Sequence, residues 1–197
     1  LFRSLVDSLV DNSGVIEAHS MTNVGGRIVL SAHQGTTQVS GTIDASGKLG
    51  GGQVLIGGGK QGQDAAIAHN AKTVVEESAV IKANATDIGD GGQVILWADD
   101  QTVFAGSIEA KGGQNGGHGG FVETSGKLRL NVRETAQVDA ASLVDGYLYG
   151  SWLLDPSNVF LTNGGANSVP GGGGTVNPSS DDFYVDIGTL ETALNGN

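Results

Sequence analysis

The sequence predicts an all-β protein, a right-handed parallel β-helix with about 27 residues per coil and a short C-terminal helix. Three observations predict this fold. Glycine is abundant, at 34 of 197 residues, whereas proline occurs only 3 times. The apolar residues, mainly Val, Ile, Leu and Ala, occur in short runs separated by glycine turns, as in short strands. A unit of three such strands recurs, and because one unit cannot bury an apolar face alone, the units must stack.

The repeat is visible in two registers. Tetrapeptides that end in alanine recur with central residues Ile16, Ile43, Ile81, Ile108 and Val138, at steps of 27, 38, 27 and 30 residues. Gly-Gly pairs followed by a strand begin at Gly25, Gly51, Gly91 and Gly119, at steps of 26, 40 and 28 residues. Both registers have their long step at the same place, which localises one insertion to about residues 57–72.

The repeat divides the chain into three parts. Residues 1–160 predict the β-helix section, with at least five coils over residues 12–155, and its insertion at 57–72 should project as a partner-binding loop or cap an edge. Residues 161–182 are rich in turn residues and predict a flexible linker. Residues 183–197 predict a short amphipathic helix that opens a following section, with its apolar positions at Ile187, Leu190 and Leu194.

Alternation within the strands predicts which side chains face the interior, and it fixes the pair of candidates better than the phase. The expected inward positions are Val15 or Ile16, Ile28, Leu30, Val39, Ile43, Val54, Ile56, Val94, Leu96, Val103, Ile108, Phe121 or Val122, and Leu128 with Leu130. Trp97 and Trp152 are expected to be core or groove residues.

The densest glycine stretch, GGQNGGHGG at residues 112–120, lies between two predicted strands, where other units carry SGKLGG and NATDIGDGG. It therefore predicts a corner of the solenoid, where glycine permits positive φ in a narrow cross-section. No helix follows it, as a dinucleotide fingerprint would require, and it lacks the aspartate of calcium-binding glycine repeats.

Charge and composition argue against several classes of partner and site. The net charge of −11 argues against nucleic acid and anionic lipid, which bind clustered Lys and Arg. No apolar run approaches the roughly 18 residues that a membrane-spanning helix needs, so no membrane insertion is expected. The chain has no cysteine, which excludes disulfides and zinc-thiolate sites.

The ionisable residues do not form a recognisable reactive cluster. His19, His33, His69 and His118 fall in different units or loops without metal-ligand spacing. Asp99 and Asp100 are similar to the acidic pair that β-helix polysaccharide lyases use with calcium, but no further carboxylates align with them on neighbouring coils. We therefore expect no catalytic residue, no metal site and no cofactor. Asn84 begins one N-x-T sequon and is a possible glycosylation site.

Two segments resemble a known family: NATDIGDGGQVILWADDQTVFAGSIEAKGGQNGGHGGFVETSGKLRLNV and GSWLLDPSNVFL. The motifs at Gly89 to Trp97, Gly119 to Gly126 and Trp152 to Val159 resemble, in order and spacing, those of filamentous-haemagglutinin-type large exoproteins of two-partner secretion systems. This group includes the high-molecular-weight adhesins and haemopexin-binding exoproteins of Haemophilus. The resemblance covers roughly residues 12 to 162 and implies a right-handed parallel β-helix that is secreted or on the bacterial cell surface.

The same family carries an N-P-N-G type motif in its N-terminal secretion domain. That motif is missing here, so the resemblance places this segment at or just after the end of the secretion domain.

The resemblance predicts a non-enzymatic segment of a surface adhesin, a rigid β-helical shaft for adhesion to host cells or biofilm partners. Its expected partners are the outer-membrane transporter, for the full-length protein, and host cell-surface glycans or proteins, or like cells. One alternative is capture of a haem-carrying host protein for haem acquisition, which a long projecting loop would favour. The other alternative is a polysaccharide lyase, which an aligned row of carboxylates would favour. The sequence does not identify ligand-binding residues.

Overall fold

The computed structural model describes residues 8–18, 24–155, 158–162 and 182–186. Over these residues the chain is a parallel β-solenoid of about five coils, with about 28 residues per coil. Among them, the helical structure is limited to a short 3-10 turn, Lys60–Gly62. The predicted all-β fold and parallel β-helix are confirmed.

Each coil contributes three strands. The first contains β1 (Leu9–Asn12), β2 (Val15–Glu17) and β3 (Arg27–Leu30), and the second β4 (Thr36–Val39), β5 (Thr42–Asp44) and β6 (Gln53–Ile56). The third contains β7 (Lys72–Val75), β8 (Val80–Lys82) and β9 (Gln93–Leu96), and the fourth β10 (Gln101–Phe104), β11 (Ser107–Glu109) and β12 (Phe121–Thr124). The fifth contains β13 (Arg129–Val132), β14 (Gln137–Asp139) and β15 (Ser151–Leu154), and β16 (Asn158–Thr162) and β17 (Asp182–Asp186) follow.

Equivalent strands of successive coils pair in parallel and form three sheets. The first sheet has the order β1-β4-β7-β10-β13-β17-β16, the second the order β2-β5-β8-β11-β14, and the third the order β3-β6-β9-β12-β15. In the second sheet Ile16 pairs with Ile43 and Ile43 pairs with Ile81. The column continues through Ile108 to Val138, so the register read from the alanine tetrapeptides is the register of this sheet.

The core is a column of aliphatic side chains from all three sheets. Its most deeply buried members, at most 1% exposed, include Val39, Val75 and Phe104 from the first sheet, Ile43, Ile81 and Ile108 from the second, and Val54, Val94, Leu96 and Val122 from the third. Burying each of these side chains contributes roughly 1.5–3 kcal/mol, and the stacked coils create the interior that makes this burial possible.

Two expected inward positions are wrong. Val103 is only half-buried and points outward, while its neighbours Thr102 and Phe104 are fully buried. Phe104 stacks on Val75 inside the solenoid, and this phase buries the larger side chain. Leu128 lies before β13 and is 42% exposed, so Leu130 alone of that pair enters the core.

Two open choices are also settled by the structure. Ile16 packs against the core while Val15 is 67% exposed, and Val122 is fully buried while Phe121 is only half-buried.

The corners explain why alanine and glycine pairs recur together. The N–H of the second glycine donates to the carbonyl oxygen of the alanine in its own coil, as in Gly92 to Ala83 at 2.7 Å and Gly120 to Ala110 at 2.7 Å. The first glycine faces the alanine of the next coil. A Cβ on Gly91 would lie 2.0 Å from the Ala110 oxygen, so no larger residue fits.

After the fifth coil the chain adds two strands to the first sheet. Strand β17 lies between β13 and β16 and pairs with β16 in parallel along its whole length. Residues 183–186 therefore lie in a strand where the sequence predicted the start of the C-terminal helix section, because Phe183, Tyr184 and Val185 strongly favour extended backbone. The rest of that predicted helix, including Ile187, Leu190 and Leu194, lies outside the described residues, as does most of the predicted linker. No helix in the described part of the chain is long and apolar enough to cross a membrane.

Candidate functional site

The connection from β6 to β7, residues 57–71, is the largest departure from the repeat, and we call it the strap. The equivalent connections in neighbouring coils span residues 31–35, 97–100 and 125–128. The strap does not project as a loop, contrary to expectation. It folds back onto the outer face of the third sheet, because the side chains of Leu55 and Ile95 form an apolar surface there that the strap covers.

A second, smaller hydrophobic cluster holds the strap in place. Ile67 of the strap packs with Leu55, Ile95 and Trp97, and all four side chains are buried. The strap backbone also lies close against the indole ring, since a Cβ added to Gly62 would be 2.5 Å from a ring carbon. Trp97 is therefore a core residue of this outer cluster, in agreement with the expectation of a core or groove role.

Polar contacts fix the strap to the fourth and fifth coils. The Gln61 N–H donates to both carboxylate oxygens of Glu123, at 3.0 and 3.2 Å, and the Gln61 amide Nε2 donates to Asp155 at 2.9 Å. The Lys60 ammonium lies 4.6 Å from the centroid of the Phe121 ring. The strap therefore reaches from the second coil to the end of the fifth.

Glu123 is the buried carboxyl group of this face. Its side chain is fully buried beneath the strap. Burial raises the pKa of Glu123, with a further contribution from the nearby Asp155, and the Gln61 N–H and Lys60 offset only part of this effect. Sequence reasoning missed this residue, because nothing in the motif FVETSG shows that a distant insertion covers it.

The candidate acidic pair is divided between two structural roles. Asp99 accepts hydrogen bonds from Trp97 Nε1 at 3.3 Å and Gln34 Nε2 at 3.4 Å, and its Oδ1 lies 3.0 Å from His69 Nδ1. Burial opposes ionisation of Asp99, but these hydrogen bonds outweigh it and lower the pKa of the carboxyl group. Asp100 instead forms an ion pair with Arg129 of the next coil, at 2.6 Å. Each carboxylate thus fixes a neighbouring segment.

The fold does not bring together the histidines that the sequence analysis considered as metal ligands. His69 lies in the strap, His33 is exposed at another corner, and His118 lies beside the fourth coil's glycine pair. His19 falls outside the described residues. Within the described ranges no group of three or more His, Cys, Asp or Glu side chains could hold a metal ion.

Asn84 belongs to a polar ladder at the corner after the second sheet. Its Nδ2 donates to Glu109 Oε2 at 2.8 Å, and its Oδ1 accepts the Lys111 N–H at 2.8 Å. The Lys111 ammonium continues the ladder to Glu109 and Asp139, at 3.2 and 3.3 Å. A glycan on Nδ2 would displace the contact with Glu109, and glycosylation of Asn84 stays a prediction.

An open groove of about 600 Å³ runs along the corner between the second and third sheets, and we call it the glycine groove. Its floor consists of the stacked glycine pairs 51–52, 91–92 and 119–120. One bank carries Asp90, His118 and Leu148, and the opposite bank carries Gln53, Gln93 and Phe121. At the fifth coil Tyr149 occupies the place of the first glycine and is 65% exposed. The sequence contains a signal for this groove, because the residues on either side of each glycine pair are the ones that form its banks.

Hydrogen bonds across the coils order both banks. Asp90 Oδ1 accepts the His118 N–H at 2.7 Å, and His118 Nδ1 accepts the Leu148 N–H at 2.9 Å. The Tyr147 ring packs edge-on against the His118 ring, with centroids 5.2 Å apart. On the opposite bank Gln53 Nε2 donates to Gln93 Oε1 at 3.0 Å. The groove is thus lined by fixed polar groups that face solvent.

The comparison with solved structures finds a related architecture. No protein-family model and no curated protein match the sequence. The solved structure of the HMW1 secretion domain from Haemophilus influenzae is 30% identical to this chain and superposes with a TM-score of 0.58. The match covers 75% of this chain and 38% of that structure. The predicted resemblance is therefore confirmed: the chain is similar in sequence and fold to the filamentous-haemagglutinin-type exoproteins of two-partner secretion systems.

Proposed function

We propose that this chain is a section of a secreted bacterial adhesin, in which the β-solenoid is a rigid shaft for adhesion to host cells or to biofilm partners. The observation that carries the proposal is the similarity to the HMW1 secretion domain over 75% of the chain. The continuous register of five coils supports a stiff rod, because the strands of each coil pair with the equivalent strands of the adjacent coils along one axis. Many weak contacts along such a rod gain strength through multivalency on a cell surface.

The similarity also motivates a proposal about export and location. The full-length protein is proposed to cross the outer membrane through the transporter of a two-partner secretion system and to reach the cell surface. The supporting observation is that the matched structure is itself a secretion domain. The absence of cysteine is compatible with this route, since a chain without thiols cannot be trapped by premature oxidation.

Neither alternative function gains an observation in its favour. A long projecting loop would favour capture of a haem-carrying host protein, but the strap lies against the third sheet. An aligned row of carboxylates would favour a polysaccharide lyase, but Asp99 and Asp100 bind His69 and Arg129.

The purified 197-residue chain on fluorescent beads tests the adhesive function against epithelial cells and bacterial cells, with and without EDTA. We expect saturable binding that survives chelation. A parallel incubation with acidic and neutral polysaccharides, with and without calcium, follows new reducing ends and unsaturated products. If the chain cleaves a polysaccharide and Asp99→Asn or Asp100→Asn abolishes this turnover, the protein is an enzyme and the adhesin proposal is wrong. Absence of cell binding would reject the adhesive role of this segment.

A further inference from the structure

We propose that the glycine groove is a binding site for an uncharged oligosaccharide whose chain lies along the solenoid axis. The proposal rests on the adhesive function proposed above and adds a site and a ligand class. The groove crosses the second to the fifth coil, and parallel strands repeat its floor and banks at about 4.8 Å per coil. A pyranose ring with its linkage advances by a similar distance, so successive sugars meet successive coils.

The floor of the groove favours a sugar over an extended peptide. The N–H groups of each glycine pair are already bonded within the stack: Gly91 donates to the His118 oxygen at 2.9 Å, and Gly92 donates to the Ala83 oxygen at 2.7 Å. The Gly92 oxygen accepts the Phe121 N–H at 2.9 Å. A peptide strand needs alternating donors and acceptors from a sheet edge, and this floor has no N–H to offer it. A sugar ring needs only a flat surface beneath it, which the bare glycine backbone provides.

The banks present hydrogen-bond donors and acceptors on both sides of the glycine floor. Because His118 Nδ1 accepts a hydrogen bond from the Leu148 N–H, the neutral imidazole carries its proton on Nε2, as a donor. Asp90 uses Oδ1 for the His118 N–H, and its side chain is exposed at the rim. Across the groove, the Gln93 side chain accepts from Gln53 through Oε1 and keeps its Nε2 donors. Hydroxyl groups, which both donate and accept, match this mixture.

Two aromatic side chains line the groove at the fourth and fifth coils. Phe121 lines the bank of the fourth coil, and Tyr149 stands in the fifth coil where earlier coils have glycine. Tyrosine offers an apolar ring face beside a polar hydroxyl, which suits the apolar face and polar rim of a sugar. The charge of the protein, −11, and the Asp90 carboxylate at the rim repel acidic glycans, so the ligand class is the uncharged one.

The test uses the whole chain and an array of neutral and acidic oligosaccharides, followed by calorimetry with cellohexaose, maltohexaose and hexagalacturonate. An octapeptide of alternating Thr and Val is the extended-peptide probe. The variants Tyr149→Ala and Gln93→Ala change surface side chains, and Gln137→Ala on the second sheet is the matched control. We expect binding of at least one neutral hexasaccharide, weakened about 10-fold or more by Tyr149→Ala and by Gln93→Ala and unchanged by Gln137→Ala; a tenfold change is about 1.4 kcal/mol.

The outcomes separate this site from the adhesive function. Hexasaccharide binding that both groove variants leave unchanged overturns the groove, and cell binding by the same variants leaves adhesion standing. Binding of a neutral hexasaccharide in the groove without cell binding rejects adhesion and supports the site. No binding to any neutral oligosaccharide on the array, or preferential binding of hexagalacturonate or the octapeptide, overturns the inference. Thermal unfolding at the wild-type temperature shows that each variant is folded, and a variant that fails this control is replaced by Tyr149→Ser or Gln93→Ser.

Discussion

The backbone N–H of Gln61 donates to both carboxylate oxygens of Glu123, although the two residues are 62 positions apart. Gln61 adopts a left-handed conformation, φ 52°, which is unusual for a residue with a side chain and which aims its N–H at the third sheet. The contact joins the strap to the fourth coil. The Glu123 carboxyl group is buried and accepts these hydrogen bonds from a neutral N–H rather than from a cation. The stability of this face is therefore sensitive to pH.

The first prediction concerns that pH dependence. Burial raises the pKa of Glu123, so the folded protein binds this proton more tightly than the unfolded chain does. The free energy of unfolding should therefore fall as the pH rises from the ordinary glutamate pKa, about 4.3, through the raised value. Glu123→Gln removes the ionisation and keeps an acceptor for the Gln61 N–H. We expect it to be more stable than the wild type at neutral pH, as measured by urea unfolding across a pH series.

Glu77→Gln is the matched control, because Glu77 is an exposed glutamate at a corner. The comparison is made between variants because other carboxyl groups also make stability depend on pH. The pKa values of Asp99 and Glu109 are lowered in the folded protein, so these groups stabilise the fold above the ordinary carboxyl range, and this stabilisation is lost as the pH falls. Glu77→Gln should show the same pH dependence of stability as the wild type. The interpretation of Glu123 is rejected if Glu123→Gln shows that same dependence.

The second prediction is that the strap can detach while the solenoid stays folded. Ile67→Ala truncates the strap's buried apolar side chain, which packs with Leu55 and Ile95, and such a truncation costs about 2–5 kcal/mol. We expect faster hydrogen exchange at the Gln61 amide and through residues 57–71, with little change in the sheet strands. Gln63→Ala, at an exposed position of the strap, should leave exchange unchanged. Cooperative unfolding of the whole chain by Ile67→Ala would show that the strap is integral to the core.

The corner chemistry explains why the coil repeat could be found in the sequence. Gly92 and Ala83 both recur in every coil because they are bonded to each other, and Gly91 recurs because the next coil leaves no space for a Cβ. In the fifth coil the pair becomes Tyr149-Gly150, and Gly150 still donates to the Ala140 oxygen at 2.7 Å. The second sheet has no sixth strand in the described residues, and this removes the constraint on the first position.

The strap and the phase of β10 could not be predicted in the same way. In QTVF both Val103 and Phe104 are apolar, so alternation alone does not choose between them. The strap's position depends on contacts between Ile67 and residues in two coils, which no local pattern records. One signal did exist: Leu55 lies in a continuous apolar run, VLI, as is typical of a strand that is buried on both faces.

The third prediction compares two glycines. A Cβ on Gly91 would lie 2.0 Å from the Ala110 oxygen, whereas a Cβ on Gly14 would have nothing within 4 Å. We expect Gly91→Ala to destabilise the protein by about 1–3 kcal/mol, because the coils must separate locally. Gly14→Ala should be neutral or stabilising by up to about 1 kcal/mol, since it restricts the unfolded chain. Equal effects of the two substitutions in thermal unfolding would refute the corner packing described here.

The last prediction tests the corrected phase of β10 with two neighbouring residues. Phe104 is fully buried on the core side of the first sheet, while Val103 is half-buried on its outer side, between Val74 and Asn131. Phe104→Asp places a carboxylate in an apolar interior with no cation or water to offset its desolvation. The cost should be several kcal/mol, enough to unfold the adjacent coils.

Val103→Asp keeps its carboxylate in contact with water and loses only strand propensity and partial burial, about 1 kcal/mol. Urea unfolding followed by far-UV circular dichroism measures both variants against the wild type. A large loss of stability for Val103→Asp together with a small one for Phe104→Asp would reverse the phase of this strand. That result would also contradict the inward orientation of Val39 and Val75, because the parallel register places them on the same side of the sheet as Phe104.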